Sequence, residues 1–226
     1  MLKFVFVALL VVMLAACTQA DTSPSSVEPV IINVDNPSVR PQPDSNMPRL
    51  IEQELEGVRV GVWLPPGWQA DESDARALTL VESMGSLDTD EPASGVRLSL
   101  FVPDLGAILP DVNRHDNIAH AALTAVVASR EQVGGATTSA PQALEWEGRV
   151  AAYYLFSSET GEHGIVIGLA LTDETPTLAV INISAPEPDS SRIEAMLPTL
   201  LGDLSIGGYT LDATFINALP SPLVFP

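Results

Sequence analysis

The stretch "LEWEGRVAAYYLF", residues 144–156, decides how this chain folds. Alternating runs flank the dipeptide Glu147-Gly148, and a glycine-containing turn between two such runs is the signature of a β-hairpin. Residues 143–146 therefore read as one strand and 149–156 as its antiparallel partner. The same period-two pattern recurs on either side. Val58, Val60, Val62 and Leu64 alternate with Arg59, Gly61 and Trp63, and Val96, Leu98, Leu100 and Val102 alternate with Arg97, Ser99 and Phe101. Residues 77–82 form a shorter candidate. Turns at 158–164 and 172–176 separate strands at 165–171 and 178–185, and 205–211 is placed to close the sheet. Connections this short join antiparallel neighbours.

Two helices interrupt the strands. The first spans 117–132, capped by Asp116 and stopped at Gly134-Gly135. Alanines at 119, 121, 122, 125 and 128 suit close approach to a flat surface such as a sheet. The second starts at Asp189-Ser190-Ser191, with Ser191 and Glu194 spaced as a capping box. Ile193, Met196, Leu197, Leu200 and Leu201 fall on one helical stripe that Gly202 ends. Pro198 lacks an amide hydrogen, which predicts a kink or a split there. The pattern as a whole predicts an α+β domain, mainly an antiparallel β-sheet of about six to eight strands with two helices packed on it.

Three segments carry a family resemblance. "VGVWLPPGWQ" (60–69) is a strand running into Pro, Gly and Trp, and "LEWEGRVAAYYLF" places a Trp-x-Gly turn in a hairpin. "LAVINISAPEPDSSRIEAMLPTL" (178–200) is a strand, then Ala-Pro, then a late helix. In this order they resemble the PsbP-like fold family, named for an extrinsic protein of photosystem II. The resemblance implies an α/β/α sandwich over roughly residues 55–211, and bacterial relatives that are often secreted or lipid-anchored. It carries over no binding residue, and a fold alone does not fix a function.

The N-terminus indicates location. Lys3 is followed by an apolar run from Phe4 to Ala16, thirteen residues. A bilayer core needs about 20 in a helix, so the run suits a secretory signal with small residues at its cleavage point. Leu14-Ala15-Ala16-Cys17 resembles the lipobox of bacterial lipoproteins, which implies acylation of the Cys17 sulfur and cleavage just before it. Cys17 is the only cysteine, so the mature chain would hold no disulfide. A catalytic Cys17 is disfavoured, because a nucleophilic thiolate needs a base and an ordered pocket.

The expected organisation has four parts. Residues 1–16 are a lipoprotein signal peptide, and 17–54 are the lipidated Cys17 and a flexible tether with prolines at 24, 29, 37, 41, 43 and 48. Such a tether averages roughly 35 Å as a coil and approaches ~115 Å as extended polyproline. Residues 55–211 form the domain, and 212–226 are a tail. Since Lys3 is the only lysine, cleavage leaves 9 arginines against 29 Asp and Glu, a net charge of −20. That surface repels nucleic acid and anionic headgroups.

Catalytic motifs do not emerge. His115 and His120 point about 140° apart on a helix, a poor zinc spacing, and His163 falls in a turn. No G-x-S-x-G, phosphate loop or G-x-G-x-x-G occurs, and "SMGS" (83–86) reads as a turn. Asp88, Asp90 and Glu91 gather oxygens that could attract calcium, but the loop lacks the EF-hand glycine and terminal glutamate. Trp63, Trp68 and Trp146 are read as packing residues, with Trp63 covering the sheet's second side beneath a helix. The sequon "NIS" (182–184) lies inside a strand and is set aside. The sequence therefore predicts no catalytic residue, no metal, no cofactor and no nucleic-acid partner. It predicts a non-enzymatic envelope lipoprotein, held at the membrane through Cys17, that binds or stabilises another envelope component. A small-ligand or cation carrier comes second and an envelope hydrolase third.

Overall fold

The computed structural model describes residues 48–82, 94–171 and 176–226. Cys17, the expected signal segment, residues 17–47 of the expected tether and the acidic loop of Asp88, Asp90 and Glu91 lie outside the described residues. In chain order the first strands are β1 (Arg49–Leu55), β2 (Val58–Leu64), β3 (Gln69–Asp71), β4 (Ala77–Val81) and β5 (Arg97–Phe101). Two helices follow, α1 (Leu105–Ile108) and α2 (Ile118–Val133), then strands β6 (Ala136–Thr138), β7 (Gln142–Trp146), β8 (Arg149–Ser158), β9 (Glu162–Ala170) and β10 (Leu178–Pro186). The chain closes with α3 (Ser191–Leu201), β11 (Ser205–Ile206), β12 (Tyr209–Thr210) and α4 (Ala213–Ala218).

The fold is α+β, with two antiparallel sheets. The larger has eight strands in the order β3-β4-β5-β10-β9-β8, with β6 and β7 lying end to end along the far edge of β8. The smaller has the order β1-β2-β11-β12. The deciding hairpin is β7–β8, and Glu147 and Gly148 turn with positive φ of 51° and 75°. Two left-handed residues in a row give a turn whose twist matches the flanking strands.

Strand alternation sorts the core into two clusters. Leu98, Leu100, Ile165, Ile167, Ile181 and Ile183 face one way, toward α3, α4 and the inner side of the smaller sheet. Ala152, Tyr154, Phe156, Val166 and Val180 face the other way, toward Ala119, Ala122, Leu123 and Val127 of α2. The layers are thus helix, sheet, then helices beside a second sheet. The alanines of α2 let it settle closely on Gly168, where a Cβ would stand 3.4 Å from Leu123 and 3.6 Å from Ala119. Gly164 is tighter still, because the Phe156 ring opposite it leaves only 2.6 Å for a Cβ.

Several local expectations are corrected. The tether does not extend to residue 54: residues 49–55 are β1, with Ile51 and Leu55 buried against the core. Its turn, Glu56-Gly57 with φ of 48° and 83°, repeats the Glu147-Gly148 chemistry. Asn117, rather than Asp116, caps α2, its side chain accepting from the His120 amide at 2.8 Å. Ser191 and Glu194 form no capping box, since α3 starts after Ser190 without a side-chain cap. The helix also runs through Pro198 to Leu201. Pro198 is exposed, so water can satisfy the carbonyl its ring leaves unbonded.

The last residues pack back on the domain. Phe215 of α4 is fully buried, and Leu223 and Phe225 lie against the core. Glu194 ties the tail down by accepting the Ser221 hydroxyl at 2.6 Å and the Leu223 amide at 3.0 Å.

Candidate functional site

The β1–β2 hairpin carries the most unusual surface of the domain. Its two-residue turn makes Leu55 and Val58 the first hydrogen-bonded pair, so Glu54 and Arg59, Glu52 and Gly61, and Leu50 and Trp63 are the intervening non-bonded pairs. Side chains approach most closely across such pairs. Leu50 and Trp63 are 44% and 47% exposed, so they form one apolar patch on the outer face. This corrects the expectation for Trp63. Among the described residues no helix covers it, because α2 lies over the larger sheet.

Carboxylates border the patch. Glu52 faces Gly61 and so has no cation directly across from it, while Glu54 faces Arg59. At the start of β1, Arg49 pairs with Glu72 at 2.5 Å. β1 is also the terminal strand of its sheet. The backbone groups of Leu50, Glu52 and Glu54 point away from β2, and no backbone partner meets them among the described residues.

The other two tryptophans belong to the core, as expected. Trp68 is 7% and Trp146 4% exposed. Trp146 meets Phe215 edge to face at 5.3 Å and donates its indole N–H to Asp212 Oδ1 at 3.0 Å. The Arg149 guanidinium lies 3.8 Å above the Tyr209 ring and 5.1 Å from the Trp146 ring. The gap beneath these rings holds about 10 Å³, room for one water. A small-molecule pocket needs about 300 Å³ or more, so this gap is a packing seam.

Asp212 also caps α4, accepting the Phe215 amide at 3.0 Å. That amide, with further help from the Trp146 indole and Thr214, holds the Asp212 carboxyl below its ordinary range. A depressed carboxyl stabilises the fold above the unfolded-state pKa and loses that contribution as pH falls through the folded value. Tryptophan emission should therefore shift as the protein is acidified below about pH 4. Asp212→Asn keeps the acceptor but cannot titrate, so its emission should respond less over that window. An identical response from both proteins would remove Asp212 as the source.

The remaining candidates scatter. His115 is exposed at the end of a short 3₁₀ turn, whereas His120 bonds the Pro141 carbonyl from its Nε2 at 3.2 Å. His163 Nδ1 meets Ser157 Oγ at 2.7 Å, and its ring lies 5.3 Å from Phe225. This is a serine–histidine contact across paired strands, and no carboxylate bonds the ring among the described residues. No group of three His, Cys, Asp or Glu is placed to hold a metal among the described residues. Asn182 lies in the central strand β10, and its side-chain oxygen is buried without a partner among the described residues.

Two ionic clusters have structural duties. Ser184, fully buried, donates to Glu162 Oε1 at 2.7 Å, and Arg97 meets the same oxygen at 2.7 Å. Glu82 accepts the Val96 amide at 3.0 Å and pairs with Arg192, while Asp189 accepts the Gly95 amide at 2.9 Å. This second cluster fastens residues 82 and 95–96 to the start of α3.

No family model matches the sequence, and no curated protein matches it. Solved structures similar in fold include the following two. One is cyanobacterial PsbP (CyanoP) of Synechocystis sp. PCC 6803, at 14% identity over 65% of this chain and 86% of that one, with a TM-score of 0.38. The other is LpqN of Mycobacterium tuberculosis, described as involved in cell envelope biogenesis. It matches at 12% identity over 72% of this chain and 92% of that one, with a TM-score of 0.45. These likenesses are distant, and the α+β assignment rests on the strand order and layers of the chain itself.

Proposed function

We propose that this chain is a non-enzymatic lipoprotein of the cell envelope, anchored through Cys17, whose acidic domain binds or stabilises another envelope or membrane component. The observation that supports this reading is the Leu50–Trp63 patch. An exposed tryptophan and leucine paired on a sheet face leave apolar surface in water unless something covers them, and aromatic anchors of this kind dominate protein interfaces. Tethering near the membrane raises the effective concentration of neighbouring proteins, so a modest interface can stay occupied. The net charge of −19 for the whole chain steers it toward a basic surface.

The experiment is photo-crosslinking in cells at native abundance, with a crosslinking residue placed singly at positions 63, 133 and 210 of the full chain. A discrete envelope protein should be captured from at least one position, and more weakly as salt rises. Capture at none of the three would overturn the proposal. So would saturable hydrolytic turnover by the purified protein that one substitution abolishes.

A further inference from the structure

The open edge of β1 and the patch beside it specify what kind of partner would fit. We propose that the occupant is an extended, basic segment of a partner protein, added antiparallel along β1 as a fifth strand of the smaller sheet. This rests on the binding reading above and names the chemistry of its partner.

Two observations on the hairpin support the assignment. The backbone groups of Leu50, Glu52 and Glu54 face outward at the end of the sheet, and no backbone partner meets them among the described residues. A strand laid there would form hydrogen-bonded pairs at these three positions, exchanging two bonds at each. The side chains of the same three residues stand on the outer face, so the added strand would place residues beside an exposed leucine and two exposed glutamates. Lysine or arginine opposite Glu54 and Glu52, and an apolar residue opposite Leu50 and near Trp63, complete that row. Read along the partner from its N-terminus, the pattern is basic, any, basic, any, apolar.

The alternatives fit the row less well. A second copy paired symmetrically about Glu52 would set Glu52 against Glu52 and Leu50 against Glu54, juxtaposing like charges at the centre. Anionic lipid would meet Glu52, Glu54 and Glu56 on the same hairpin. Glutamates on an edge strand commonly guard it against unwanted pairing. A guard alone, however, gives no reason to keep Leu50 and Trp63 exposed alongside.

The test uses the full chain in detergent and a fluorescent peptide with lysine, lysine and leucine at alternate positions and threonine between them. Fluorescence anisotropy should show saturable binding. Glu52→Lys combined with Glu54→Lys turns two attractive cross-strand pairs repulsive, and should weaken binding about tenfold. A peptide with glutamates in place of lysines should bind that variant better than it binds the parent. Both side chains are exposed, so the variant should fold, and an unchanged circular dichroism spectrum is the check on that. N-methylation of the lysine and leucine amides should abolish binding, whereas N-methylation of the threonine amides should spare it, because only the former face β1.

Equal binding by the two methylated peptides would overturn strand addition, and so would the absence of saturable binding. Dimerisation removed by Trp63→Ser would assign the face to a second copy instead. Sedimentation of Cys17→Ala protein with anionic vesicles, removed by the same change, would assign it to lipid. An envelope partner captured at position 133 or 210 without any peptide binding would leave the binding role standing and remove this edge from it.

Discussion

Phe215→Ala should lower the unfolding free energy by about 3–5 kcal/mol, among the largest losses available to a single substitution here. The ring is fully buried and meets the edge of Trp146, so truncation opens a cavity in the main core. Its backbone amide is held by Asp212, and that same carboxylate anchors the Trp146 indole. Six residues of α4 are too few to stay helical without this packing. The C-terminal residues would loosen with it, including Leu219, which is 5% exposed. Urea unfolding followed by tryptophan emission should show an earlier midpoint and a red-shifted native signal. A loss below about 1 kcal/mol would mean that α4 is not an integral part of the core.

The second large effect concerns the anchor. Cys17→Ala should abolish incorporation of labelled fatty acid and release the protein from the membrane fraction. A single acyl chain holds a protein only marginally, and stable retention needs more than one. Removing the attachment atom should therefore shift the protein almost wholly to the soluble fraction. With a surface as acidic as this one, little residual attraction to anionic lipid would remain. Unchanged labelling of the variant would sink the lipoprotein reading, whatever the domain binds.

Most of the central sheet was legible because its strands obey one rule. In β5, β8 and β10, burial alternates with sequence or runs nearly continuously, and both patterns carry a strong apolar signal. The stripe of α3 and the small residues of α2 were equally plain. β1 was hidden by composition. Three glutamate or glutamine residues in "RLIEQEL" look like tether, although Ile51 and Leu55 sit at core spacing and Glu56-Gly57 supplies a hairpin turn. The remaining elements were too short for a period to show. β11 and β12 have two residues each, and Pro141 separates β6 from β7 along one edge.

The candidate surface was missed for a related reason. Trp63 alternates correctly out of the valine face, but alternation says only which side a residue takes. Whether that side is covered depends on where α2 docks, and α2 chose the larger sheet. The capping residues failed on a finer scale. Asp116 and Asn117 are adjacent acceptors, and only the backbone geometry at Asn117 brings a side-chain oxygen to the His120 amide.

The strand order also sets a timetable. β2 finds β11 by pairing Val60 with Ile206 and Gly61 with Ser205, and the middle of the large sheet joins Leu100 to Ile181. Contacts this distant in sequence close slowly, because loop entropy must be spent before any pairing energy returns. A chain that leaves a pore with its N-terminus first would have to release nearly all of its length before the smaller sheet could close. Acylation at residue 17 would by then be long possible. On the lipoprotein reading proposed above, attachment would thus come before folding, and the domain would assemble already held at the membrane.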